Sequence, residues 1–169
     1  KNNPALVSII PSNGVFFVEE NYYFGVKIEL QKGWKTYWKN PGDAGAPISI
    51  GLKDSSIDNK LKILFPFPEK FTDHGVSTIG YEDQVIFPIR IQKNEIDKIN
   101  KEINLDYLVC KDICIPISET KNIKLNFQNV VKSGIFMESY KTVPKRKSNY
   151  FNIDESIVSS EKISIELVN

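Results

Sequence analysis

The stretch that organises the chain is YLVCKDICIP, residues 107–116. It contains the only two cysteines of the chain, Cys110 and Cys114, separated by three residues. Before it, apolar and polar residues alternate with a period of two, which is typical of a strand with one buried face. The apolar positions of this alternation are Ile103, Leu105, Tyr107 and Val109. The pattern predicts a strand, a short turn and a second strand, with the two cysteines at the mouth of the hairpin.

Directly opposed residues of an antiparallel pair have Cα atoms about 4.5–5.5 Å apart, and a disulfide needs about 4.4–6.8 Å. A bond between Cys110 and Cys114 is therefore geometrically reasonable. As a structural cross-link it would stabilise the fold by only about 2 kcal/mol, against about 4.7 kcal/mol for a disulfide that closes a 100-residue loop. This weak stabilisation favours redox use, and a structural disulfide stays open as the alternative.

Two segments outside the hairpin carry the same alternation. Their apolar positions are Phe24, Val26, Ile28 and Leu30 in the first and Val85, Phe87, Ile89 and Ile91 in the second. About eight short strands separated by turn residues, with little helical periodicity, predict an all-β fold, a β-sandwich. Three local predictions accompany it: a turn at Asn40–Asp43, a polar loop at Thr72–Thr78, and a sheet edge at Pro88.

We expect one domain in residues 1–128, followed in residues 129–169 by a linker plus a final strand. Residues 134–141 are compatible with a short helix. Residues 162–168 alternate again, and this strand would either belong to the sandwich or begin a second domain.

The composition is that of a globular chain, with 41% apolar and 11% aromatic residues. The net charge of +1, from 22 basic and 21 acidic residues, gives no support for nucleic acid or an anionic membrane as the partner. No apolar run approaches the about 18 residues that a membrane span needs. The sequence starts at Lys1 and shows no signal peptide, so we expect a mature or excised piece of a protein.

Two cysteines, one histidine and one methionine are too few for a structural metal cage, since zinc takes about four ligands. No metal and no cofactor is therefore predicted. Three roles stay open for the thiols. A redox couple would make the chain a thiol–disulfide oxidoreductase, and a structural disulfide would fit a non-catalytic binding module. Soft copper ligation with His74 or Met137 would fit a copper-handling protein.

Three aromatic residues, Trp34, Tyr37 and Trp38, precede a stretch rich in glycine and proline. They are either core packing or an aromatic wall around a site, because Trp and Tyr combine a large surface with a polar group. His74 is either a base near Cys110 or an exposed loop residue.

Four motifs, in this order and spacing, resemble the periplasmic N-terminal domain of DsbD-type protein-disulfide reductases. They are GWKTYWKNPGDAG (33–45), FPEKF (67–71), GYEDQVIFP (80–88) and LVCKDICIP (108–116). The resemblance covers residues 5 to 128 of the sequence. It is closest to the branch linked with suppressor-of-copper-sensitivity (Scs) proteins, in which a Cys-x-x-x-Cys-Ile-Pro ending also occurs.

The resemblance implies an immunoglobulin-like β-sandwich in the bacterial periplasm that acts as a protein-disulfide reductase. Electrons from cytoplasmic thioredoxin would reach it through a transmembrane domain and a thioredoxin-like domain, and an attached membrane domain would lie outside this chain. The domain would pass them to oxidised periplasmic proteins, such as disulfide isomerases and the thioredoxins of cytochrome c maturation.

At the level of residues, the resemblance implies that Cys110 and Cys114 are the redox pair, with either one as the attacking thiol. A cap loop shields the pair in the family and corresponds to residues 71–79 here. Its shielding residues would be Phe71, Asp73 and His74, and the flanking aromatics would be Trp34 and Tyr37. Two features depart from the best-known members, which space their cysteines more widely and have a more acidic and aromatic cap.

Overall fold

The strands of the protein form two antiparallel sheets. The computed structural model describes residues 3–53, 61–73, 75–91 and 102–145. The first sheet contains β1 (Ala5–Ile10), β2 (Phe16–Val18), β3 (Asn21–Leu30), β6 (Leu61–Ile63) and β9 (Gln84–Ile91). The second contains β4 (Lys35–Gly42), β5 (Ser49–Leu52), β7 (Glu69–Asp73), β8 (Val76–Glu82), β10 (Glu102–Cys110) and β11 (Cys114–Asn122). The orders are β1–β3–β9–β6 and β11–β10–β4–β8–β7, with β2 also pairing with β3 and β5 with β10.

The alternating segments of the sequence supply one core between the two sheets. The apolar side chains of β3 and β9 lie in the same buried cluster as those of β10, and their central members are almost fully excluded from solvent. These are Phe24, Val26, Ile28, Phe87, Ile89, Ile103, Leu105 and Val109. Because side chains of a strand alternate between its faces, the residues between them point outward. The predicted fold class, an all-β immunoglobulin-like β-sandwich, is confirmed.

A helix, α1 (Gly134–Lys141), covers the outward face of the first sheet, in the segment that the sequence left compatible with a short helix. The Ser133 hydroxyl caps it by accepting a hydrogen bond from the Phe136 N–H at 3.4 Å. Phe136 and Tyr140 form a second buried cluster with Phe16, Tyr23 and Ile86 of the sheet. No helix in the described ranges is long and apolar enough to cross a membrane. Residues 162–168, predicted as a strand, lie outside those ranges.

Two local predictions were wrong because backbone pairing, rather than side-chain alternation, builds the strands concerned. The turn predicted at Asn40–Asp43 is instead the end of β4, where Gly42 opposes Thr78 of β8 after an irregular stretch. The loop predicted at Thr72–Thr78 is the end of a hairpin, in which β7 pairs with β8 up to Asp73↔Val76. The Asp43 N–H donates to the Ser77 carbonyl at 2.9 Å and fixes this hairpin to the end of β4.

The sheet edge predicted at Pro88 was also wrong, since β9 lies between β3 and β6. The Leu64 N–H donates to the Pro88 carbonyl at 2.9 Å. Proline has no N–H with which to return this bond, and the pairing of β6 with β9 ends one residue earlier, at Ile63↔Ile89. The proline therefore ends a ladder inside the sheet.

Candidate functional site

The two cysteines lie opposite each other at the end of the β10–β11 hairpin. Their pairing is the last of a continuous register that runs from Glu102↔Asn122 to Cys110↔Cys114. The Cα atoms of Cys110 and Cys114 are 4.1 Å apart, and the two sulfurs are bonded as a disulfide. Three residues, Lys111 to Ile113, close the loop. The position at the mouth of a hairpin is the one that the alternation predicted.

The two cysteines differ in their exposure to solvent. Cys110 is only 5% exposed, whereas Cys114 belongs to the exposed residues. Cys110 follows Val109, which faces the core, so its side chain points to the outward face of the second sheet. Among the described residues, Cys110 and Tyr37 are the two buried apolar residues that belong to neither core cluster. A cover on the outward face, and not the core, therefore buries Cys110.

On this face β4 pairs with β10 at Cys110 itself, and the β7–β8 hairpin is joined to β4 through Lys35. Lys35 of β4 is the register partner of Cys110 on one side and of Glu82 on the other. Its ammonium pairs with a carboxylate oxygen of Asp73 at 2.5 Å and lies 4.4 Å from the centre of the Phe71 ring. Phe71 and Asp73 both belong to β7, at the end of the hairpin. One lysine thus ties the hairpin to the strand beside the disulfide.

A small cleft of about 270 Å³ lies between the disulfide loop and the end of the hairpin. Its lining residues are Gly33, Lys35, Asp73, Lys111 and Asp112. Gly33 has φ +80°, and an added Cβ there would lie 3.3 Å from Lys111 Cε, so the loop lysine passes directly over this glycine. The cleft carries two positive and two negative side chains. The described residues contain no group of three or more His, Cys, Asp or Glu that could hold a metal ion.

The three predicted aromatic residues are divided between the two faces of the sheet. Tyr37 is buried on the face of the disulfide, and its ring fills the space over Gly45, where an added Cβ would be 2.4 Å from the ring. Burial raises the pKa of the Tyr37 hydroxyl, and the negative charge of Asp73 raises it further. Trp34 and Trp38 instead pack against the main core, partly buried. The structure brings Tyr37, Phe71 and Asp73 together around Lys35 and Cys110, and His74 lies outside the described residues.

The N-terminal family model of the thiol:disulfide interchange protein DsbD matches residues 8–126. The chain belongs to this family. The matched range includes the β10–β11 hairpin with both cysteines and the β7–β8 hairpin, which Lys35 joins to the strand beside Cys110. A thiol–disulfide interchange domain is therefore the general class of this DsbD N-terminal family member.

Two solved structures were matched, and the first of them has a similar fold. The N-terminal periplasmic domain of ScsB from Proteus mirabilis superimposes with a TM-score of 0.62 and 23% sequence identity, covering 85% of this chain and 56% of that one. The reduced N-terminal domain of Neisseria meningitidis DsbD superimposes with a TM-score of 0.42 and 12% identity, covering 70% of this chain and 83% of that one. The chain thus spans 56% of the length of the ScsB domain. No curated protein sequence matches the chain significantly.

One member of the site, Lys35, was not among the residues predicted from the sequence of this DsbD-family domain. The sequence does contain a signal for it. Lys35 and Tyr37 are two residues apart in a strand, and such residues share a face. A lysine in that position, among large aromatics, would have indicated a charge on the same face as Tyr37. Its neighbours Cys110 and Asp73 could not be identified without the strand register.

Proposed function

We propose that this domain passes electrons through the Cys110–Cys114 pair to oxidised periplasmic proteins. The observation that carries the proposal is the exposure of one sulfur-bearing residue and the burial of the other on a covered face, outside both cores. A disulfide meant to hold the sandwich together would join distant strands, because the stabilisation grows with the length of the closed loop. This one joins neighbouring residues of a single hairpin.

The reaction proceeds in two exchanges. The Cys114 thiolate attacks one sulfur of the acceptor disulfide, and the other acceptor sulfur leaves as a thiolate and takes up a proton. The Cys110 thiolate then attacks the Cys114 sulfur of the mixed disulfide. This step forms the Cys110–Cys114 disulfide and releases the second acceptor thiol. Two electrons and two protons pass to the acceptor, and a dithiol donor restores the reduced pair by the reverse steps.

Cys114 is the attacking residue in this scheme because exchange needs access to the sulfur along the line of the breaking bond. Cys114 is exposed at the start of β11, an edge strand, whereas Cys110 is buried and has Lys35 as its register partner on β4. The sequence did not distinguish the two thiols. Burial makes Cys110 the resolving thiol, protected from partners until Cys114 has reacted.

The partners in this scheme are thioredoxin-like proteins or domains, one as donor and others as acceptors. Disulfide isomerases and the thioredoxins of cytochrome c maturation are the acceptors that the family suggests. Membership of the DsbD N-terminal family and the fold shared with a periplasmic ScsB domain support a periplasmic location. An attached membrane domain, outside this chain, would supply the electrons.

Trapping of the mixed disulfide tests the proposal. Reduced Cys110→Ala, which keeps Cys114, should form a lasting disulfide-linked adduct with oxidised thioredoxin on non-reducing gels. Cys114→Ala should form it at least tenfold more slowly. The relay is wrong if neither variant captures thioredoxin while the wild-type domain exchanges with it. Equal capture rates would overturn the assignment of Cys114 as the attacker.

The reduction potential separates this function from a binding module with a structural disulfide. Equilibration in glutathione or dithiothreitol buffers should give a potential above roughly −250 mV, with the fold intact in the reduced state. A potential below about −300 mV, or loss of the fold on reduction, would mark a structural bond and favour the binding module.

A further inference from the structure

The resolving step needs an ionised thiol at Cys110, and a buried thiol is poorly ionised by itself. Cys110 must be a thiolate to attack the mixed disulfide on Cys114. An unperturbed cysteine has a pKa of about 8.5, so only a few per cent of it is ionised at pH 7. Burial lowers this fraction further, because it disfavours the charged form. A cation beside Cys110 would offset both effects.

The strand register places such a cation next to Cys110. Lys35 is its direct partner on β4, and opposed residues of neighbouring strands share a face, with Cβ atoms about 4.5–5.5 Å apart. The four-carbon stem of a lysine is long enough to bring its ammonium to the neighbouring sulfur. In the oxidised domain, however, this ammonium is bound to the Asp73 carboxylate and lies over the Phe71 ring. The same lysine therefore has two competing partners, one of which exists only after reduction.

The other ionisable groups that face the pair from the neighbouring strands and from the loop are Tyr37, Glu82, Asp73, Lys111 and Asp112. Burial raises the pKa of Tyr37, which stays neutral, and the remaining four groups carry three negative charges and one positive charge. Lys111 lies over Gly33 on the other side of the cleft, at the loop that carries the disulfide. Lys35 is thus the cation that the sheet itself places opposite the buried thiol.

We propose that Lys35 is a positioning residue for the resolving step, and that the Cys110 thiolate competes with the Asp73 carboxylate for its ammonium. This inference rests on the proposed function, since it assigns the resolving role to Cys110. The Asp73 side chain is 61% exposed, against 18% for Lys35. An ion pair so open to water contributes little stability, so a thiolate at Cys110 can compete with Asp73 for the ammonium. The ammonium then stabilises the thiolate that resolves the mixed disulfide.

A small aromatic disulfide makes the resolving step visible. Ellman's reagent reacts with the reduced domain to release one thionitrobenzoate when Cys114 attacks, and Cys110 then displaces the second from Cys114. The second phase is unimolecular, and its rate against pH reports the ionisation of Cys110. Cys110→Ala should show the first phase alone, which assigns the two phases.

Two variants that break the same ion pair should shift this pH profile in opposite directions. Lys35→Met removes the ammonium, so the midpoint should rise by about one pH unit. At pH 7 the second phase should slow about threefold, because a tenfold loss of thiolate is partly offset by its greater nucleophilicity. Above the new midpoint, Lys35→Met should be faster than wild type. Asp73→Asn frees the ammonium for Cys110, so the midpoint should fall.

A lysine on the same strand supplies the control. Lys39 also lies over an aromatic ring, that of Trp38, at 4.9 Å, whereas the ion pair with Asp73 and the contact with Phe71 are made by Lys35. Lys39→Met should leave the midpoint unchanged. If Lys35→Met fails to fold, Lys35→Gln replaces it. The inference is overturned if Lys35→Met leaves the midpoint unchanged, or if it and Asp73→Asn shift it in the same direction, as a merely loosened hairpin would.

A different result would contradict the proposed function. A wild-type domain that never exchanges with thioredoxin-like proteins would contradict the relay, whatever the pH profile shows. Opposite shifts in the two variants would then still establish Lys35 as the group that tunes Cys110.

Discussion

Both sheets of the sandwich bury side chains on their outward faces, but they cover them with different chemistry. On the first sheet, α1 stacks Phe136 on Phe16 with ring centres 3.9 Å apart, and both residues are almost fully buried. On the second sheet, an ion pair and a cation–ring contact hold the β7–β8 hairpin to Lys35, the register partner of the buried Cys110. One cover is apolar and continuous, and the other depends on one charged side chain.

The difference shows which cover can open. Burial of a phenylalanine stabilises a fold by about 1.5–3 kcal/mol, and water does not compete for the contact. A partly exposed ion pair contributes about 0.2–1 kcal/mol, and water and salt compete for both charges. The apolar cover therefore belongs to the permanent fold. The charged contact lies next to the disulfide loop, where the proposed redox partner would need access.

The largest expected effect comes from removing the centre of the apolar cover. Phe136→Ala should lower the free energy of unfolding by about 3–5 kcal/mol, the range for truncating a buried phenylalanine. Urea unfolding measures this change. Ile135→Ala is the matched control on the same helix, because Ile135 is 42% exposed and should change the stability by about 0.5 kcal/mol or less. A loss below 1 kcal/mol for Phe136→Ala would mean that α1 is not part of the permanent fold.

A smaller effect should follow from opening the disulfide under the charged cover. Reduction of Cys110–Cys114 should lower the free energy of unfolding by about 2 kcal/mol, the loop-entropy value for a five-residue ring. The unfolding of the oxidised and reduced forms in urea gives the difference. Hydrogen exchange should quicken at the β7–β8 hairpin on reduction and stay unchanged at Phe136. A loss well above 4 kcal/mol would show that the disulfide also supports the core.

The strands whose side chains alternate were predicted from the sequence, whereas β7 and the end of β4 were missed. In β3, β9 and β10 one face is apolar because it meets the core, so a period of two is visible. In β7 most residues are exposed, and β4 ends in Asn40, Pro41 and Gly42, which are typical of turns. Backbone hydrogen bonds to β8 hold both strands. Such bonds do not require particular residue types, so the sequence does not reveal them.

The absence of a sequence signal for backbone pairing also explains why only part of the site could be predicted. The position of Cys110 and Cys114 at the mouth of a hairpin depends on local order alone, and it was predicted. The contact of Lys35 with Asp73 joins residues 38 apart in the sequence, and it depends on β4 and β7 both flanking β8. Since these two strands were not recognised, no reasoning from the sequence could bring the lysine to the disulfide.

The smallest expected effect concerns the C-terminal end of α1, where a charged contact joins the helical segment to the turn before β3. Glu19, in the turn between β2 and β3, accepts hydrogen bonds from Lys145 at 2.6 Å and from the Tyr140 hydroxyl at 3.1 Å. These two bonds, and the charge of Lys145, lower the pKa of the Glu19 carboxyl below its usual 4.5. A lowered pKa in the folded state stabilises the fold above the unfolded pKa, and this contribution is lost as the pH falls through the folded pKa.

Acid should therefore loosen the attachment of α1 to the turn, and Glu19→Gln should remove that part of the acid sensitivity. The measurement is the fall in melting temperature between pH 5 and pH 3, which should be slightly smaller in Glu19→Gln than in wild type. In 1 M salt the difference should vanish, because the screening length shortens to about 3 Å and these side chains are exposed. An undiminished difference in high salt would show that hydrogen bonding, and not charge, holds this end of the helix. The apolar cover would then be independent of charge along its whole length, and the contrast with the hairpin over the disulfide would be sharper.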